Sequence, residues 1–189
     1  RPAPPEARPP RPLSPSSLGA DTVADPPPSA AMQAAAERGR LIHALFERLP
    51  QLAPDIRAAA ADRWLENSAG VADAATRADL TNAVLAVIDH PDCAHLFGAD
   101  GLAEVPVAGV VEGVVISGTV DRLIVGVNTV DIVDFKTGRR VPSLANAVPD
   151  AYKRQMAAYA AVLRGVFPEH AVRAALLYTS GPTLFPLDA

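Results

Sequence analysis

Two short apolar strands with a carboxylate at the far end of each constrain this chain more than any other feature. Gly118-Thr119-Val120-Asp121 leads into Arg122-Leu123-Ile124-Val125, and Val130-Asp131-Ile132-Val133 runs into Asp134-Phe135-Lys136-Thr137-Gly138. The intervening Gly126-Val127-Asn128-Thr129 suits a tight hairpin turn. With that turn centred between Val127 and Asn128, residues whose numbers sum to 255 face each other, and Asp121 stands opposite Asp134. Directly opposed side chains in an antiparallel pair lie roughly 4.5 to 5.5 Å apart at Cβ, and like charges there destabilise the sheet. Two facing acids in an apolar hairpin therefore call for a cation. The strand period of two puts Lys136 on the same face as Asp134. Of the 17 Lys and Arg residues, only Lys136 and Lys153 are lysines. A Lys here points to a need for a compact point charge where a planar fork would not serve. A hard divalent ion such as Mg²⁺ fits such a place, because it takes few carboxylate oxygens and keeps waters, leaving room for a phosphate and an attacking water. Asp-x-Lys alone is a weak pattern, and by itself it favours a surface ion pair on an edge strand.

Length and composition narrow the class. A chain of 189 residues can build one domain with a sizeable core. Although 49% of it is apolar, no run approaches the roughly eighteen residues of a membrane span. The opening Arg1-Pro2-Ala3-Pro4-Pro5 has neither a Met nor an apolar leader, so the sequence reads as a piece of a longer, cytoplasmic protein. Cys93 is the only cysteine, which excludes an intrachain disulfide and any cluster held by this chain's thiolates alone. A net charge of −4 disfavours a freestanding, nonspecific nucleic-acid binder. It leaves open an enzyme acting on DNA delivered by a larger partner.

Residues 1–28 hold ten of the 19 prolines and are expected to be an extended, disordered linker, with the folded domain at 29–189. Ala30 to Leu49 reads as a helix stopped by Pro50, with Leu41, Leu45 and Leu49 at helical spacing. Gly39 and His43 share a face of it, and a helical Gly, costing about 0.5 to 1 kcal/mol relative to Ala, implies close approach of another backbone such as the hairpin's. A lone His on a helix is more often structural than a ligand. Pro54 to Glu66 and Val71 to His90 read as two further helices packed through Trp64, forming a cap or insertion that supports the site. From Leu102 the pattern turns to strands: Ala103 to Val107, Gly113 to Val125 and Val130 to Thr137. Glu104 either reaches the site from a neighbouring strand or ends a strand in solvent. Asp150 is the expected N-cap of a helix to Val166 that carries Gln155 and Tyr159 on one face, and Ala171 to Thr179 and Thr183 to Leu187 close the chain as strands. The change from helical to strand period and back predicts an α/β fold, a mixed sheet with the hairpin at its centre and helices on both sides.

The order of these features is a helix with Gly-x-x-x-His, Glu104-Val105-Pro106, Gly-x-x-Asp, Asp-Phe-Lys-Thr-Gly, and a helix with Gln-x-x-x-Tyr. Together they resemble the RecB-type nuclease family of the PD-(D/E)XK superfamily, from about Glu37 to Leu177. The resemblance implies a restriction-endonuclease-like core that cleaves DNA. His43, Asp121 and Asp134 would bind Mg²⁺ or Mn²⁺, Lys136 would orient or activate the attacking water, and Gln155 and Tyr159 would support the site and the DNA backbone, with Glu104 beside them. The AddB subunit and the CRISPR-adaptation nucleases of this family carry four cysteines for an iron-sulfur cluster, which one cysteine cannot match. The Pro-rich stretch and leading helices look like the C-terminal nuclease domain of an AddA-type helicase-nuclease, whose AddB partner joins it in processing double-strand DNA ends for recombinational repair, so the resemblance implies as substrates those ends and the single strands emerging from the helicase. No Walker A Gly-x-x-x-x-Gly-Lys is present, so ATP would serve only a helicase part outside this sequence. Two other readings stand beside this one: an inactive structural or DNA-binding module of a helicase, and a freestanding RecB-like exonuclease.

Overall fold

The computed structural model describes residues 29–188; the segment expected to be a Pro-rich linker, residues 1–28, lies outside the described residues, as does Ala189. Helix α1 spans Ala30–Arg48 and starts at Ser29, whose hydroxyl accepts the Met32 N–H at 3.3 Å. Its Leu41, Ile42, Leu45 and Phe46 recur at helical spacing and are buried, each stabilising the fold by about 1.5–3 kcal/mol. Helix α2 spans Pro54–Asn67 and α3 spans Ala74–Ile88. The third helix begins later than the apolar pattern predicts because Asp73 caps it, accepting the Thr76 N–H at 2.8 Å. Buried Arg77 joins α3 to α2 through Asp62 at 2.7 Å. Trp64 packs against the same core and carries the Arg48 guanidinium 4.6 Å from its ring, so it ties α2 to the end of α1.

Five strands follow one another in space as in sequence: β1 (Gly101–Val111), β2 (Val114–Val125), β3 (Thr129–Lys136), β4 (Ala171–Tyr178) and β5 (Thr183–Leu187). β3 and β4 are parallel and every other pair antiparallel. The parallel pair requires a crossover, supplied by α4 (Asp150–Val166). The first strand is longer than expected, because β1 and β2 are joined by Glu112-Gly113, both at positive φ of 49° and 80°. Such two-residue turns favour Asn-Gly or Asp-Gly, and a Glu in the first position concealed the hairpin. Asp150 is not the N-cap of α4. Pro149 occupies that position without a side-chain bond, and Asp150 is the first helical residue, 3.3 Å from Lys153.

Helices α1 to α3 are not an insertion. Their Leu45, Phe46, Leu80 and Val84 share one buried cluster with Val133, Phe135 and Leu177 of the sheet. The opposite face is covered by α4, whose Met156, Tyr159, Ala160 and Leu163 meet Val120, Ile132, Ala174 and Leu176. The fold is thus an α/β sandwich with the β2–β3 hairpin inside the mixed sheet. No helix among the described residues is long and apolar enough to cross a membrane.

Candidate metal and catalytic site

The hairpin has the predicted register. Arg122 pairs with Val133, Leu123 with Ile132, Ile124 with Asp131 and Val125 with Val130. The ladder stops one pair short of Asp121 and Asp134. On the other side of β2, Ala103 pairs with Arg122 and Val105 with Val120, but Glu104 and Asp121 are not paired. The sheet therefore opens on both sides of Asp121.

Packing shows how. Ile116 and Val120 face the α4 layer, and so does Leu123. Strict alternation cannot place both Val120 and Leu123 on one face, so the phase of β2 slips between them. Two consecutive side chains, Asp121 and Arg122, turn toward α1. Asp121 Oδ1 lies 3.3 Å from His43 Nδ1. Asp121 Oδ2 accepts the Phe135 N–H at 2.5 Å, standing in the gap where a ladder bond would otherwise form. Arg122 is 1% exposed and donates to the carbonyls of Phe46 in α1 and Gly101 in β1, at 3.1 and 3.0 Å. One buried guanidinium thus fastens together the three elements that carry His43, Glu104 and Asp121. Nothing in the sequence marked Arg122 except its place after Asp121.

Glu104 sits at φ 50° in the middle of β1. Non-glycine residues rarely adopt this region, and strain of this kind concentrates at functional sites. Its Oε1 lies 3.8 Å from His43 Nδ1. His43, Glu104 and Asp121 can each offer a ligand atom within 4.8 Å of the others. Of the alternatives left open by its sequence, Glu104 therefore takes the one at the site.

The expectation that Asp121 and Asp134 project from one face is corrected by the slip in β2. Val133 and Phe135 pack toward α1, so Asp134 and Lys136 alternate away from it. Lys136 Nζ lies 2.6 Å from Asp134 Oδ2 and 3.9 Å from the centre of the Tyr152 ring of α4. The ammonium is thereby held between a carboxylate and an aromatic face. Asp134 lies outside the three-residue cluster, but the charges of Asp121 and His43 act on it. The site has two lobes: His43, Glu104 and Asp121 on one side of the opening, and Asp134 with Lys136 on the other.

The electrostatics are those of crowded acids. Burial raises the pKa of Asp134, the charge of Asp121 raises it further, and Lys136 only partly opposes them. Glu104 is also pushed up, first by burial and then by Asp121. For His43, burial disfavours the charged form, but the hydrogen bond and charge of Asp121, with Glu104 and Asp134, outweigh it and the net direction is up. Asp134 Oδ2 is buried, and its one close partner among the described residues is the Lys136 ammonium at 2.6 Å. Three clustered donors, two carboxylates and an imidazole within 4.8 Å of one another, beside a buried acid that one ammonium only partly offsets, suit a hard divalent ion. The residues present fit a divalent metal ion.

The motif glycines hold the parts together. A Cβ on Gly39 would come within 2.8 Å of Thr137 Oγ1, so α1 closes on the end of β3 as the sequence implied, against a side chain. Phe135 packs among Phe46, Phe97 and His43, with ring centres 4.9, 5.9 and 5.8 Å away, and so fixes the imidazole. Gln155 and Tyr159 of α4 are buried beneath the opening. The phenol of Tyr159 is pushed up, chiefly by burial, with a smaller contribution from Asp134.

Residues 17–185 match the PD-(D/E)XK nuclease superfamily, and the chain belongs to it. That membership, with the acidic cluster, makes it a metal-dependent nuclease domain. No curated protein matches its sequence. Sixteen chains of solved structures match, among them one described as "Crystal structure of SSO0001", at 16% identity over 82% of this chain and 77% of that one, with a TM-score of 0.36.

Proposed function

We propose that this domain hydrolyses phosphodiester bonds in DNA, and that it is the C-terminal nuclease part of an AddA-type helicase-nuclease working with an AddB-type subunit on double-strand ends. The observation that supports the nuclease reading best is the meeting of His43, Glu104 and Asp121 beside the Asp134–Lys136 pair. The AddA assignment rests on the order of five motifs and on the Pro-rich stretch before the first helix. In this reading the protein is cytoplasmic, acts as an exonuclease, and leaves ATP to the motor part.

A divalent ion held by His43, Glu104 and Asp121 would polarise the scissile phosphate and acidify the attacking water. The chain's own residues set the geometry. Asp121 cannot rotate freely, since one oxygen is held by the Phe135 N–H and the other faces His43. Lys136, clamped by Asp134 and Tyr152, presents its ammonium where negative charge grows on the phosphate during attack. The incoming water gives up one proton to solvent as its O–P bond forms, the O–P bond to the departing strand end breaks, and the leaving alkoxide takes up one proton from solvent water. Single-turnover cleavage of a linear duplex with and without Mg²⁺ or Mn²⁺, by the chain and by Asp134→Asn, tests the reading. Metal-dependent cleavage lost in the variant is the expected result. Equal rates for the two proteins would overturn it.

A further inference from the structure

A groove of about 830 Å³ opens directly beyond Lys136, between the Thr137–Ser143 loop and the start of α4. Lys136, Arg139 and Arg140 all line it, and no Asp or Glu does. In a chain with net charge −4, two unpaired arginines beside the Asp134-bound Lys136, with no acid in the lining, make a local positive field that opposes the overall one. Arg139 and Arg140 are exposed, and neither has an ion-pair partner among the described residues. A second feature is independent of charge. Tyr178, 4% exposed, lines the same groove, and its buried hydroxyl has no hydrogen-bond partner among the described residues. A tyrosine hydroxyl can both donate and accept, so it offers an unused polar contact at the floor. Tyr152 lines the wall next to Lys136 and provides an aromatic face.

We infer that this groove binds one strand of the nucleic acid, with Arg139 and Arg140 holding the phosphates that flank the one presented to Lys136. The inference rests on the nuclease reading and adds the path of the substrate to it. The volume admits a few nucleotides of a single strand and falls far short of a turn of duplex. A basic groove with aromatic side chains is the usual form of a single-strand site, where backbone contacts give affinity without dependence on sequence. The loop follows Asp-Phe-Lys-Thr-Gly without interruption, so a strand seated on it leads straight to the ammonium.

The test is equilibrium binding of a fluorescent single-stranded oligonucleotide to the 189-residue chain in EDTA, over a range of salt concentrations, so that no cleavage step enters. Loss of each phosphate contact lowers the slope of log K against log salt by about 0.7 for single strands. Arg139→Ala/Arg140→Ala should lower it by about 1.4 and weaken binding by on the order of tenfold at low salt. Arg63→Ala, on the exposed side of α2, should change neither, and Arg139→Lys/Arg140→Lys should recover most of the slope. An unchanged slope and affinity in the double Ala variant would overturn the groove, while metal-dependent cleavage by the parent chain would leave the nuclease reading standing. Conversely, a parent chain that binds through both arginines yet never cleaves would refute the nuclease reading and keep the groove. A duplex bound as tightly as the single strand, with the same loss in the variant, would overturn the single-strand assignment.

Discussion

The ring of Tyr159 occupies the space that a Cβ on Gly118 would need: its hydroxyl, Cε1 and Cζ are the nearest atoms to that position, all inside the contact limit. The glycine of Gly-x-x-Asp and the tyrosine of Gln-x-x-x-Tyr are therefore two halves of one packing contact between β2 and α4. Gly118→Ala should destabilise the fold by about 1–3 kcal/mol, the scale of overpacking in a closed core. Tyr159→Phe, lacking the closest atom, should recover part of that loss in the double variant, so that the two changes are non-additive. Denaturant melts of the four proteins check this, and strict additivity would refute the contact.

Lys136→Ala separates catalysis from binding. A lysine that merely pairs with Asp134 would, on removal, tighten metal binding and alter little else. A lysine acting on the transition state should leave metal and DNA affinity in place and lower cleavage by on the order of 10² or more. Arg at this position should fail to rescue, because a guanidinium paired with Asp134 and stacked on Tyr152 spreads its charge over a plane and cannot present the compact, orientable point charge of an ammonium. Metal titration beside single-turnover cleavage decides between the two.

Glu104 should show opposite effects on stability and on metal binding. Its φ of 50° suits Asn better than Glu, so Glu104→Asn should raise the stability of the metal-free protein by up to about 1 kcal/mol. The same change removes a carboxylate from the His43–Glu104–Asp121 cluster and should weaken Mn²⁺ binding by roughly tenfold, which corresponds to about 1.4 kcal/mol. Thermal melts and Mn²⁺ titration measure the two. A variant with unchanged metal affinity would return Glu104 to a structural role.

The pH dependence of the metal-free protein should run downward. A group whose folded pKa is raised still holds a proton in the native state after the unfolded chain has released it, so stability falls as pH rises between the two values. Asp134 and Glu104 are raised above 3.8 and 4.5, and His43 above 6.5. All three therefore favour the metal-free fold at acid pH, the carboxyls losing that contribution from about pH 4 upward and the imidazole above about pH 6.5. Melting temperature should drop from about pH 5 to about pH 8 and be restored by Mg²⁺ or Mn²⁺, which stabilise the fold by binding it. Asp134→Asn should melt higher than the parent without metal and show a flatter profile. A melting temperature that rises with pH in the absence of metal would contradict the buried-acid description.

Local rules in the sequence determined α1, the hairpin register, α4 and the pairing of Lys136 with Asp134, because each follows from a period or a turn set by neighbouring residues. The family motifs were legible for the same reason: each is a short string, and their order along the chain is not disturbed by folding. What the tertiary structure decided lies where two elements meet. Asp121 and Asp134 should have faced each other by strand period, but burial of both Val120 and Leu123 against α4 forces β2 out of phase and swings Asp121 to His43. Glu104 left two outcomes open until its left-handed backbone and its distance to His43 placed it in the cluster. Arg122 carried no signal because its role is to satisfy the carbonyls of Phe46 and Gly101, which lie 76 and 21 residues away along the chain. Side-chain period is local and could be read directly, whereas the slip that shapes the site results from packing two layers against one sheet, and only the assembled fold contains it.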